Sequence, residues 1–100
     1  MSAGSAWSAI AIHPRDSVAV ALRDVAAGEL VAVRIDGTVR EVTALDAVAL
    51  GHKIATVAIA KGALVLKYGE AIARATSDIA VGQHVHVHNV ASDRAKKATP

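Results

Sequence analysis

Residues 17–22 read SVAVAL, with Val18, Val20 and Leu22 on one parity, and ELVAVRI repeats the pattern with Val31, Val33 and Ile35. Side chains that change face at every residue belong to strands, whereas a helix spaces its apolar residues three and four apart. The β-branched residues in these runs strengthen the reading, because they lose rotamer freedom in a helix. Asp36-Gly37, between two such runs, is a two-residue hairpin signal. Beyond it Val39 and Val42 break the alternation, which predicts a bulge. The alanine-rich segments 45–49 and 71–75 leave room for a short helix.

The same apolar and polar pattern recurs four times, as DVAAGELV (24–31), AVALGHKI (47–54), AIAKGALV (58–65) and DIAVGQHV (78–85). Each unit has an aliphatic residue, an alanine, a free position, a glycine, two variable residues and another aliphatic. The pattern predicts a tight turn with Gly28, Gly51, Gly62 or Gly82 at positive φ, launching a new strand. The spacing between units is irregular, so the chain is no solenoid. Four turn-and-strand units and a hairpin predict a compact, closed all-β domain with short strands, over residues 9–90. Residues 1–8 and 91–100 read as flexible tails.

The last unit runs on as His84, Val85, His86, Val87, His88, Asn89, and carries three of the chain's five histidines. Alternation would send Val85 and Val87 to the core and the imidazoles together to the other face. The two residues after each glycine are free of the repeat, and they are Glu29-Leu30, His52-Lys53, Ala63-Leu64 and Gln83-His84. Two of the four units therefore put imidazole where packing does not require it.

Composition narrows the functional classes. The 100 residues are 53% hydrophobic but contain no Phe, one Trp and one Tyr, so the core is built from small aliphatic side chains. With no cysteine there is no disulfide framework and no thiolate metal site. A formal charge of +2, with scattered basic residues and almost no aromatics, argues against a nucleic-acid surface. No apolar run is long enough for a membrane span, and MSAGSAW lacks the basic start and apolar stretch of a signal peptide. The expected location is the cytoplasm.

HPRDSVAVAL from His13, GHK from Gly51, KYG from Lys67 and GQHVHVHN from Gly82 stand in this order along the chain. Together they resemble the SAF-type domain of altronate and galactarate dehydratases, a family that also includes the small subunit of sulfolactate sulfo-lyase. The resemblance implies a β-clip fold, in agreement with the turn-rich all-β pattern. It also implies a non-autonomous small subunit of a lyase, working on an anionic sugar acid or sulfonate with a large catalytic subunit as partner. The chain departs from the family pattern at Asp16-Ser17, where Asp-Asn is usual. It departs again at Ala49 and Ala73, where the family favours proline and glycine.

Reactions of this family remove the proton beside a carboxylate and expel water or sulfite from the neighbouring carbon, giving a 2-oxo acid. The intermediate is doubly negative, so it calls for cations or a divalent metal and for a base near neutral pKa. The resemblance makes His52, Lys53, His86 and His88 the candidate catalytic groups, with Lys67, Asn89 and His13 binding substrate. His86 and His88 would lie roughly 6.6 Å apart along one strand face. They could hold a divalent ion (Fe, Mn or Mg, shared with the large subunit), grip a substrate carboxylate, or belong to a solvated edge strand. Lys53 and Lys67 suit an anion as point charges, while Tyr68, of the same parity as Leu64 and Leu66, reads as a core-edge residue. His13, before Pro14, and Asp16 fit a structural turn equally well. Two other functional classes stay open. One is a stand-alone SAF module that binds a metal or small anion without chemistry, and forms homo-oligomers. The other is a purely structural β-clip.

Overall fold

A computed structural model of the chain describes residues 8–92. Apart from Ser8, Ala91 and Ser92, the expected tails lie outside that range. Nine strands follow in order: β1 (Ala9–Ala11), β2 (Val18–Ala21), β3 (Leu30–Ile35), β4 (Thr38–Thr43), β5 (Lys53–Ala55), β6 (Leu64–Lys67), β7 (Glu70–Ala75), β8 (His84–Val85) and β9 (Val90–Ala91). No helix occurs among the described residues; 71–75 lies in β7 and 45–49 is a bend followed by the isolated bridge at Val48. One sheet has the order β4-β3-β1-β2-β5-β8 and the other β6-β7-β9. The larger sheet keeps open edges at β4 and β8 and does not close into a barrel. The all-β fold with short strands and glycine turns is that of an SAF-like β-clip.

All four units fold alike. Gly28, Gly51, Gly62 and Gly82 have φ between 84° and 91°. In each turn the residue after the glycine donates its N–H to the alanine carbonyl three positions back: Glu29 to Ala26, His52 to Ala49, Ala63 to Ala60 and Gln83 to Ala80. The glycine N–H in turn bonds a buried alanine carbonyl, of Ala44, Ala21, Ala75 or Ala55 respectively. A side chain at Gly82 would also meet the Thr43 carbonyl oxygen at 2.0 Å, so this turn is closed against the 43–45 segment.

The expected hairpin is present, with Asp36 at φ 45° and Gly37 at 86° joining β3 to β4. The expected bulge is not: β3 and β4 stay in register from Leu30↔Thr43 to Ile35↔Thr38. Alternation breaks here because Arg40, on the inward parity of Val42, reaches out to bond the Thr56 carbonyl, while Val39 faces solvent. The irregularity lies between Val65 and Leu66 in β6.

Two apolar clusters form the core. Ala9, Ala11, Ala19, Ala21, Val31, Val33 and Ile54 belong to one, and Val18, Ala55, Val65, Ala73, Ile79 and Val85 to the other. In β2 the alanines, not the larger residues, face the first cluster, and Leu22 is exposed. β1 and β5 flank β2 on either side, and a close-packed interior there takes methyl groups.

Candidate functional site

β5 and β8 pair antiparallel with Lys53↔Val85 and Ile54↔His84, and His52 and His86 flank this short ladder. One residue beyond the Lys53↔Val85 pair, the same register sets His52 opposite His86. Residues opposite each other on paired strands present side chains to one face. The rings of His52 and His86 accordingly stack at 4.3 Å between centroids, 20° from parallel. His84 stacks on both, at 5.2 Å from His52 and 5.4 Å from His86. Nδ1 of His52 and Nε2 of His84 are 2.9 Å apart, a hydrogen bond in which one ring is the donor. The exposed His88 joins by a tilted contact with His84 at 5.2 Å.

The imidazoles meet by a different route from the extended strand predicted by alternation. β8 ends at Val85, and residues 86–89 form a turn in which the N–H groups of Asn89 and Val90 bond the His86 carbonyl. Val87 lies on this turn and is 80% exposed, so it has no place in the core. The cause is Asn89, buried, whose side chain accepts from the His86 N–H and donates to the His84 carbonyl. It supplies the partners that a continuing strand would need from a neighbour.

Each clustered histidine is held by its backbone. His52 donates to Ala49 and accepts from the Ala21 N–H. His84 donates its N–H to the Asp46 carboxylate at 3.0 Å and accepts from Asn89. His86 is bonded at both backbone groups by the 86–89 turn. The rings are partly buried and stand on pinned main chain.

Burial, then the charges of His52, His88 and His86, hold His84 below the usual imidazole range, with Asp46 opposing weakly. His86 is pushed down by burial first, then by His52, Lys53 and His88. Lys53, half-buried, is lowered by burial and by the charge of Lys67. The charges of Lys53 and Lys67 thus act at the edge of the imidazole cluster, although Lys53, paired with Val20 and Val85, leaves β5 on the face opposite His52. An open cleft of about 350 Å³ adjoins the cluster, lined by Asp24, Val25, Val48, His52 and His84 among others.

Of the expected site residues, the structure gathers His52, His86 and His88 through ring contacts, while Lys53 acts on His86 by its charge and Lys67 lies over Tyr68. Asn89 adjoins them but spends both polar ends on the loop backbone. His13 packs against Gly69 of the KYG turn, and its Nδ1 accepts the Arg15 N–H. Asp16 bridges the His13 and Gly69 N–H groups, and Ser17 bonds both backbone groups of Leu66. Tyr68 is a turn residue at φ 56° and 48% exposed, not at the core edge, with the Lys67 ammonium 4.9 Å from its ring centre. His84, which parity alone did not single out, is central: His52, His84 and His86 bring three ring nitrogens within 4.8 Å of one another. Its place in the variable pair after Gly82 was the signal in the sequence.

The family described as altronate/galactarate dehydratase SAF domain matches residues 7–93. Altronate dehydratase of Escherichia coli (strain K12) is 54% identical over 80 residues, covering 80% of this chain and 15% of that enzyme. The altronate dehydratase of Bacillus subtilis (strain 168) is 40% identical over 82 residues, covering 82% of this chain and 16% of the enzyme. The (2R)-sulfolactate sulfo-lyase subunit alpha of Paracoccus pantotrophus is 38% identical over 65 residues, covering 65% of this chain and 97% of that subunit. The chain thus spans about a sixth of the dehydratases and matches nearly all of the sulfo-lyase subunit.

Proposed function

The chain belongs to the altronate/galactarate dehydratase SAF domain family, and on that premise we propose that it is the small subunit of a carbohydrate-acid dehydratase or related lyase. Its imidazole cluster, with the charges of Lys53 and Lys67 at its edge, would form one wall of a site that a large cytoplasmic subunit completes. The observation that carries this reading is the gathering of four imidazoles at the β5–β8 junction of a domain related to dehydratases and a sulfo-lyase.

The groups suit β-elimination from a 2-hydroxy carboxylate or its sulfonate analogue. A lowered pKa leaves the rings of His84 and His86 neutral at pH 7, free to accept a proton. One imidazole takes the proton from the carbon beside the carboxylate. The C–H electron pair becomes the new C=C bond, and hydroxide, protonated to water, or sulfite leaves from the neighbouring carbon. The enol then tautomerises to the 2-oxo acid. Lys53 and Lys67 meet the substrate's anionic group, where a second ammonium nearby strengthens the pull. Asn89 positions the loop that carries His86 and His88. A divalent ion, when bound, would hold the doubly negative carboxylate of the intermediate.

The test is to purify the chain alone and together with the large lyase polypeptide, and to assay elimination from altronate, galactarate and sulfolactate. Turnover is expected only in the mixture, and full turnover by the chain alone would refute the subunit reading. A binding module without chemistry would show ligand binding alone and no gain in the mixture.

A further inference from the structure

We propose that His52, His84 and His86 form a three-imidazole site for a nitrogen-seeking divalent transition ion, with ferrous iron or zinc as its natural class and magnesium and calcium excluded. The inference concerns the same cluster as the lyase reading but does not depend on it, because ion binding can be measured without any reaction. With an ion on these three rings, His88 is the imidazole of the cluster left to take the substrate proton.

Three observations carry it. The three rings come from two separated segments, on either side of the β5–β8 ladder, and converge until their ring nitrogens lie within 4.8 Å of one another. Two of those nitrogens are already 2.9 Å apart. Two imidazoles bonded to one ion at about 2.1 Å, at right angles to each other, have their nitrogens about 3.0 Å apart, so this pair has the spacing of a shared ion. To bind it, the pair needs to lose its shared proton and turn both lone pairs toward the ion. His86 completes the set by a small swing of a ring stacked 4.3 Å from His52.

The second observation is the support around the rings. Residues 52, 84 and 86 are bonded at both backbone groups, through the glycine turn at Gly51, the Asp46 carboxylate and the Asn89 amide. Such surrounding bonds fix the ligands before the ion arrives.

The third is the chemistry of the donors. The cluster contains three nitrogens and no carboxylate, and the nearby Asp46 is engaged with the His84 N–H. Magnesium and calcium are bound through oxygens, while imidazole suits iron, nickel, copper and zinc. The donors therefore select iron from among iron, manganese and magnesium. The site also differs from the His86–His88 pair expected on strand spacing, because the turn at 86–89 carries His88 toward solvent. Three protein ligands leave positions open for water or a substrate oxygen, the arrangement of a catalytic rather than a structural ion.

The test uses the full chain without a partner. Metal-free protein is titrated with Zn²⁺ by calorimetry and with Co²⁺ by visible absorption, with Mg²⁺ and Ca²⁺ as controls. One ion per chain is expected, with affinity lowered at least about tenfold in each of His52→Ala, His84→Ala and His86→Ala. His13→Ala should leave it unchanged. Wild-type imidazole ¹⁵N spectra, which need no variant to fold, should show Zn²⁺ shifting the ring nitrogens of residues 52, 84 and 86 together. Absence of saturable binding would overturn the proposal. So would Mg²⁺ binding of equal strength, or an ion lost with His88→Ala but kept in His52→Ala. Any of these results leaves the elimination test untouched, so failure here and failure of the lyase reading are separable.

Discussion

Units 24–31 and 47–54 form one pair, joined by a bridge between Val25 and Val48; units 58–65 and 78–85 form another, joined between Ile59 and Ile79. The bonds that build the two pairs correspond. Asp24 caps the Leu50 N–H in the first pair, and Asp78 caps the Lys61 N–H in the second, both at 2.8 Å. Glu29 bonds the Ala26 N–H as Gln83 bonds that of Ala80. The differences lie in the residues after the glycines. His52-Lys53 in the first pair corresponds to Ala63-Leu64 in the second, and His84 in the second to Leu30 in the first. The pairs meet where β5 and β8 hydrogen-bond, and there the variable positions are imidazole and lysine. The positions away from that junction, Leu30 and Leu64, are exposed aliphatics. One turn design is thus used four times as scaffold, and chemistry is placed only where two copies adjoin.

The largest predicted effect breaks that contrast directly. In the assembled enzyme, His52→Ala with His86→Ala should lower elimination by about 10³-fold, within the range for loss of acid–base groups. Ala63→Ser, at the matching place in the other pair, should change the rate by less than about twofold, since it adds one hydroxyl at a partly buried turn position that carries no imidazole.

Substitution of the turn glycines comes next. Gly82→Ala combines positive φ with a clash against the Thr43 carbonyl, and should cost about 3 kcal/mol or more in urea unfolding. Gly62→Ala has the same φ sign with open space around it, and should cost only about 1–2 kcal/mol. Equal losses would show that the four turns are interchangeable and that Gly82 has no added role at the junction.

Asn89→Ala leaves the His86 N–H and His84 carbonyl without their partner, and should destabilise by about 2 kcal/mol. Its distinguishing mark is that it should also loosen the ring contacts, visible as broadened imidazole signals. Asp24→Ala and Asp78→Ala should each cost about 1 kcal/mol, and by similar amounts, because each removes one charged acceptor from an exposed turn.

The smallest effect is in pH. Unfolded imidazoles bind protons near pH 6.5, while His84 and His86 in the folded chain bind them only at lower pH. Between these values the unfolded state holds more protons, so stability rises with pH and falls as pH drops below about 6.5. His84→Gln should flatten that slope. Solvent around the rings keeps the change small.

The repeat and the hairpin were legible because each depends on local rules: positive φ at a glycine, a two-residue turn at Asp36-Gly37, and period-two burial in β3. The course of the histidine segment was not. Alternation from His84 to His88 reads as a strand, yet a strand needs a neighbour, and Asn89 supplies local partners that turn the chain instead. The gathering of His52 with His84 depends on which strands pair, a long-range property that spacing along the chain does not encode. Arg40 shows the same limit, because its carbonyl partner lies at Thr56, across the fold.

The most direct measurement is proton removal itself, followed as loss of deuterium from the carbon beside the substrate carboxylate in the assembled enzyme. The wild type should release the label at the rate of elimination, and the His52→Gln, His86→Gln double variant should retain it while still binding substrate. Release at the wild-type rate by that variant would contradict the assignment of these imidazoles to the reaction.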